Sequence, residues 1–361
     1  MNFAVPFLII AIFSMSMASI ESEISTLDDL EKRIVIDMHA HIAGVGGGKS
    51  GCYVSPELKD NWRYHVYLKA FGTTEEELQQ KGDSIIFKRL AETLAKSQYV
   101  DGAVILALDG VVADDGKLDL SQTEIYIPND FIASETAKYP NLYFGASINP
   151  YRHDALERLK QAKSQGAVLI KWIPSIQKID PSDKRLKAFY AMLLSMDLPL
   201  LVHTGAERSF SKSINELNDP KRLELPLEMG VTVIAAHVAT SGKIGKESQH
   251  ERLIKMFQKY PNLYSDISSL TQINKIRYLS SILNRADFHS RLLYGTDYPL
   301  TETGFMGLPL VSPWYTFTRL SWKERRRISQ IENPWDRDVT FKYALGFPEK
   351  VFTLPAKLLC K

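Results

Sequence analysis

The sequence predicts an α/β protein folded as a single (β/α)8 barrel of the TIM type, and three observations carry this. Eight short apolar runs alternate with longer stretches of helical spacing. Several runs are continuously apolar rather than alternating, as strands buried on both faces are. The chain's 361 residues comfortably hold the roughly 250 that such a barrel needs as one unit. A doubly wound sheet is the rival arrangement of the same pattern.

In chain order, the first segment stands apart from the barrel. Ala4 to Ala18 is almost wholly apolar, too short for the roughly 20 residues of a spanning helix but the length of a signal-peptide core. Ser16-Met17-Ala18 is a small-x-small cleavage pattern, although no Lys or Arg precedes the apolar run. The expectation is an export signal over residues 1–18 and a periplasmic or secreted mature protein. An uncleaved segment would instead leave the protein cytoplasmic or membrane-tethered. The barrel domain is assigned to residues 31–361.

The eight strand runs follow as Ile34–Ile42, Gly102–Leu108, Leu142–Ile148, Ala167–Ile173, Pro199–Thr204, Val231–Val238, Leu263–Ile267 and Arg291–Asp297. Helical spacing fills Ser84–Gln98, Asp154–Gln165, Arg185–Met196, His250–Lys259 and Asn274–Leu283. Asp154 reads as a capping residue and Gly166 as the stop. Pro140 and Pro261 each follow a helical stretch and end it. The tail from Ser321 looks helical and closes the barrel.

Composition narrows the function classes. A net charge of +2 gives no whole-chain field for nucleic acid or an anionic membrane. The expected partner is a small-molecule substrate, with no stable membrane partner after signal cleavage, and homo-oligomers remain open. The two cysteines, Cys52 and Cys360, are too few for a disulfide scaffold and lie in no zinc-thiolate spacing. Any metal ligands are therefore nitrogen and oxygen.

In such a barrel the chemistry sits at the C-terminal ends of the strands. The first run ends in Asp37-Met38-His39-Ala40-His41, the fifth in Val202-His203-Thr204-Gly205, the sixth in Ala236-His237 and the eighth in Gly295-Thr296-Asp297. Four of the eight histidines thus fall at strand ends. Residues two apart on a strand share a side, so His39 and His41 can both face the mouth while Met38 and Ala40 pack outward. H-x-H alone is a weak signal, since a lone strand histidine is more often a satisfied core residue. The joint occurrence with two further histidines and an aspartate is hard to produce by packing alone, and it fits one ion held by imidazoles and a carboxylate.

On these motifs, together with Leu200-Leu201-Val202 and Leu293-Tyr294 before them and Tyr298-Pro299 after them, the chain resembles the amidohydrolase superfamily. It is most similar to the amidohydrolase-related branch, which includes decarboxylases of carboxylated aromatics. The resemblance implies one divalent metal ion per chain, with His39, His41, His203 and Asp297 as ligands. It also implies that His237 either supports the ligands or acts in catalysis; Asp297, as ligand and proton acceptor in turn, is the other expected catalytic group. Zinc is the first choice on ligand type, and manganese, iron and nickel also fit. The implied reaction is hydrolysis of a small amide, ester or lactone by water activated at the metal, with non-oxidative decarboxylation of a carboxylated aromatic as the alternative.

Lys171 stands on the fourth strand, where two-metal relatives carry a bridging carboxylated lysine. In the one-metal branch it is not a ligand, and an anionic substrate or a nearby carboxylate would then be its partner. Arg152, Trp172, Arg208 and Tyr298 are the other candidate substrate contacts. Ala43-Gly44-Val45-Gly46-Gly47-Gly48-Lys49-Ser50 fits a relaxed phosphate-loop pattern and keeps a nucleotide-binding reading open. A phosphate loop must run straight into a helix, and no helix can begin here before Pro56. The better expectation is a flexible first loop that covers substrate.

Overall fold

The computed structural model describes residues 27–303 and 320–359. The expected export signal and Cys360 lie outside them. Eight parallel strands form one sheet in sequence order: β1 (Ile36–Ala40), β2 (Gly102–Leu106), β3 (Leu142–Ala146), β4 (Leu169–Trp172), β5 (Leu200–Val202), β6 (Val233–Ala235), β7 (Leu263–Asp266) and β8 (Leu292–Leu293). Each falls inside the run that predicts it. The seam between β8 and β1 is drawn together by backbone bonds, Met38 N to Tyr294 O at 3.3 Å and Asp297 N to His39 O at 2.8 Å. The fold is a (β/α)8 barrel, not a doubly wound sheet.

Alternation along the strands separates two apolar layers. Ile105, Phe144, Ile170, Val202 and Ala235 face the surrounding helices. Val104, Leu106, Leu169, Leu201, Ile234 and Leu293 fill the interior. Gly145 shares that interior because a Cβ there would come within 2.7 Å of Leu106 and 2.9 Å of Val104. The last helix, Glu349–Leu359, packs Leu354 and Leu358 against the same interior cluster.

β1 departs from simple alternation. Its pairing with β2 shifts register between Asp37 and Ala40. Met38 therefore joins Ile36 in the interior cluster rather than packing outward as expected. A bulge places one extra residue on a strand and re-aims the side chains beyond it. Below the slip Ile36 and Met38 fill the barrel, and above it His39 and His41 take over the inward positions. The expected direction of the two histidines holds, but by a bulge rather than by unbroken alternation.

Two further local expectations are corrected. Asp154 sits at the N-cap of Ala155–Ser164 without making a cap bond. Its carboxylate accepts from Arg158 Nε at 2.8 Å instead, one helical turn on. The glycine-rich first loop is not a phosphate loop. Its backbone donors at Val45 and Gly46, 3.0 and 2.9 Å away, and the Ser50 hydroxyl at 2.5 Å converge on one carboxylate oxygen of buried Asp83. The chain's own anion occupies the cradle a phosphate would use, and Lys49 is exposed. The same bonds tie the loop down, so it is a fixed wall rather than a flexible cover.

Candidate metal centre

The strand ends bring His39, His41, His203, His237 and Asp297 to one mouth. Ring centroids of His39 and His41, of His39 and His237, and of His203 and His237 are each 5.1 Å apart. Asp297 Oδ1 lies 3.3 Å from His41 Nε2 and 3.6 Å from His39 Nε2, and its Oδ2 lies 3.9 Å from His237 Nε2. Ligand atoms of His39, His41 and Asp297 sit within 4.8 Å of one another.

Backbone conformations unusual for these residues set the aim of two side chains. Asp297 has φ +64°, and His237, Val238 and Ala239 form a run at +59°, +48° and +48°. Such angles cost on the order of 1–3 kcal/mol per non-glycine residue and persist only where neighbours enforce them. Here the neighbours are on and beyond β7. His237 N donates to Asp266 Oδ1 at 2.9 Å and Val238 N donates to Ser265 Oγ at 3.1 Å. His250 Nδ1 bonds the Val238 carbonyl at 2.9 Å from the other side.

The hydrogen-bond network assigns the tautomers. An ionised carboxylate only accepts, so His39 Nδ1, 2.9 Å from Asp266 Oδ2, carries the proton. Ser268 donates its single hydroxyl proton to Asp266 Oδ1. Its oxygen, 2.7 Å from His237 Nδ1, therefore accepts, as does its carbonyl at 3.2 Å, and His237 Nδ1 is also protonated. Both Nε2 atoms then offer lone pairs to the mouth. Lys171 Nζ lies 3.0 Å from His39 Nε2 and donates to it.

Burial sets the charges. It pushes His39 and His203 down to about 4, with Lys171 adding to the effect at His39, and it lowers His237 well below the usual histidine range. All three are neutral imidazoles near neutrality. Burial also lowers Lys171, to about 8. Burial opposes ionisation of the two aspartates, but their imidazole partners win. His39 and His237 hold Asp266 far down, and His237, His41 and His39 do the same for Asp297.

These residues suit a divalent ion. Ligating imidazoles must be neutral, and these are. His203 Nε2 is buried without a hydrogen-bond partner, with the Glu207 carboxylate 3.5 Å away. A buried polar atom left unpaired is costly and calls for an explanation. The His39–Asp266 pair is the carboxylate–histidine arrangement that orients a metal-binding ring.

The candidate substrate contacts fare differently. Lys171 lines the cavity above the imidazoles. Arg152 does not reach it, because its guanidinium is clamped on Asp109 at 2.6 and 2.5 Å, with both side chains buried. Trp172 points the other way from Lys171, among Phe189 and Tyr190 on the helix side, with Nε1 donating to the Ile148 carbonyl at 2.7 Å. Period-two alternation excludes it once Lys171 faces inward. Arg208 is exposed and outside the cavity lining. The Tyr298 ring stacks on Trp335 at 4.8 Å, and the next residues, Pro299 and Leu300, line the cavity in its place.

Three residues at the site have no place in the expectations. Asp266 ends β7, and its signal was there to find: a charge closing an apolar run at the functional end of a strand. Glu207 follows the fifth strand on an irregular loop. Lys275, whose Nζ is 2.5 Å from Ser269 Oγ, comes from the loop beyond β7. The Glu207 loop has no sequence period that would place it, and Lys275 falls at the start of the Asn274–Leu283 stretch, just before the helical turn that begins at Ile276.

A family model for amidohydrolases matches residues 36–308. A search of curated proteins finds no match. Among solved structures, an uncharacterised TIM-barrel protein from Bordetella bronchiseptica is similar with a TM-score of 0.52 and 14% identity, over 86% of this chain and 99% of that one. A probable 2-pyrone-4,6-dicarboxylic acid hydrolase from Acinetobacter baumannii, solved with citric acid bound, is similar with a TM-score of 0.51 and 13% identity, over 91% and 99%. At these identities the likeness is one of fold.

Proposed function

The chain belongs to the amidohydrolase family, and on that premise we propose that it is a one-metal hydrolase of a small amide, ester or lactone. Family members are metal-dependent hydrolases or decarboxylases. The observation that carries hydrolysis is the pairing of two proton acceptors at one point. Asp297 Oδ2 and the His237 Nε2 lone pair are 3.9 Å apart and face the same mouth. Activating water needs acceptors there, whereas protonating a ring carbon needs a donor.

His39, His41, His203 and Asp297 would hold the ion. When bound, it supplies a Lewis acid that polarises a carbonyl and acidifies water at an open position. Zinc fits this nitrogen–oxygen set first, and manganese, iron and nickel are compatible with it. Asp297 Oδ2 takes the proton of the attacking water; His237, His41 and His39 hold its carboxyl well below the usual range, so it is ionised beforehand. His237 Nε2 accepts the second hydrogen bond of that water and fixes its direction. Asp266 holds both rings in the tautomer this requires, directly at His39 Nδ1 and through the Ser268 hydroxyl at His237 Nδ1. Lys171 would stand outside the ligand set: with the His39 Nε2 lone pair given to the ion, its ammonium is left to face the substrate side of the cavity.

A screen of metal-loaded protein against esters, lactones, amides and carboxylated aromatics tests the reading. The expected result is carbonyl hydrolysis abolished by a chelator and restored by a divalent ion. Release of carbon dioxide from an aromatic acid without hydrolysis, or a rate indifferent to the chelator, would overturn it. The proposed compartment is periplasmic or secreted, and N-terminal sequencing of the native protein should begin at or near Ser19.

A further inference from the structure

Resting on the hydrolase reading, we infer that the substrate carries an uncharged, apolar group beyond its scissile carbonyl, and that the site rejects dicarboxylates. Away from the imidazoles the cavity is walled by Val54, Leu58, Leu68, Phe71, Ile125 and Ile127. This wall is built rather than incidental. Tyr53–Val54 and Ile125–Tyr126 form a two-stranded antiparallel pair in which Val54 faces Ile125. It zips the loop after β1 to the loop after β2, and the Asp83 anchor holds the adjoining Ala43–Val45 stretch.

The charges around the cavity point the same way. Among the described residues that line it there is no arginine. Arg152 is committed to Asp109 and Arg208 is exposed outside. Lys171 lies against His39, at the reacting end. Glu207 and Asp297 add negative charge to the lining. The hydroxyls of Tyr67 and Ser209 bond each other at 2.8 Å. A carboxylate pressed against this wall would lose its hydration and gain no cation. An alkyl or aryl group there gains by leaving water. Esters, lactones or amides with one aliphatic or aromatic substituent match both conditions.

Calorimetric titration of the metal-loaded protein with matched acids reads this without turnover. The pairs are hexanoate against adipate and benzoate against isophthalate, each offering one carboxylate to the metal end as a hydrolysis product would. The monoacids should bind at least tenfold more tightly. Ile125→Arg, at a half-buried position of the wall, should narrow or invert the preference for adipate. Diacids binding as well as or better than monoacids, or no measurable binding of hexanoate and benzoate, would overturn the inference. A monoacid preference with no hydrolysis of any ester, lactone or amide would sink the hydrolase reading and leave the wall's selectivity standing. Hydrolysis together with a diacid preference would do the reverse.

Discussion

Asp266 governs two imidazoles at once, through the His39 Nδ1 proton and the His237 backbone amide. Asp266→Asn keeps the shape and removes the charge. One carboxamide cannot reproduce a carboxylate that accepts from both sides, so His39 loses its fixed tautomer. Metal affinity should fall about 10–100-fold, as loss of such partners commonly costs, with the circular dichroism spectrum unchanged. Unchanged affinity in a chelator competition would show that Asp266 does not orient the ligand set. The same buried imidazoles give the metal-free protein a pH dependence. His39 and His203 bind protons near 6.5 when unfolded but only near 4 when folded. Between those values the unfolded chain holds more protons, so stability falls as pH falls, by on the order of 3 kcal/mol for each. Asp37, raised by burial to about 6, works in the opposite direction from 6 down to its ordinary range. Two histidines outweigh one aspartate, and urea midpoints of the metal-free protein should drop between pH 6.5 and 4. A flat or rising midpoint would mean that these imidazoles are not neutral and buried.

At the scale of elements, each strand announces itself by apolar continuity, and each observed strand falls inside its run. The ends were less legible. Val231–Val238 reads as one strand, yet β6 stops at Ala235 because Asp266 and Ser265 capture the next amides and turn the chain left-handed. That capture comes from a strand about thirty residues away in sequence, beyond any local pattern. The bulge in β1 was hidden for the same reason: a register slip belongs to a pair of strands, not to one. The first loop carries a phosphate-loop look-alike that the missing helix start already argues against. Its glycines do build an anion cradle, but the anion is Asp83. Asp83→Ala leaves the Val45 and Gly46 amides and the Ser50 hydroxyl without their acceptor and should cost roughly 2–4 kcal/mol. Because the loop walls the cavity and supplies no ligand, KM should rise while metal content stays. Loss of the ion in this variant would mean that the loop shapes the metal site directly.

For the whole molecule, barrel topology turns sequence-distant residues into one site by placing every strand's C-terminal end on one rim. His39, His41, His203, His237 and Asp297 were therefore legible before any coordinates, since the fold and the strand ends together name them. The substrate wall was not. It comes from loops of no fixed period, and the arginine the sequence offers after the third strand is spent on Asp109. The central claim is a single ion held by three imidazoles and Asp297, with His237 acting on the reaction rather than on the ion. Elemental analysis and turnover measured on the same preparations of wild type, His203→Ala, Asp297→Ala and His237→Ala test it most directly. The account predicts about one divalent ion per chain in the wild type, loss of most of it in His203→Ala and Asp297→Ala, and metal retained in His237→Ala with the rate down by about 10²–10⁴. Two ions in the wild type, or loss of the ion in His237→Ala as complete as in His203→Ala, would contradict it.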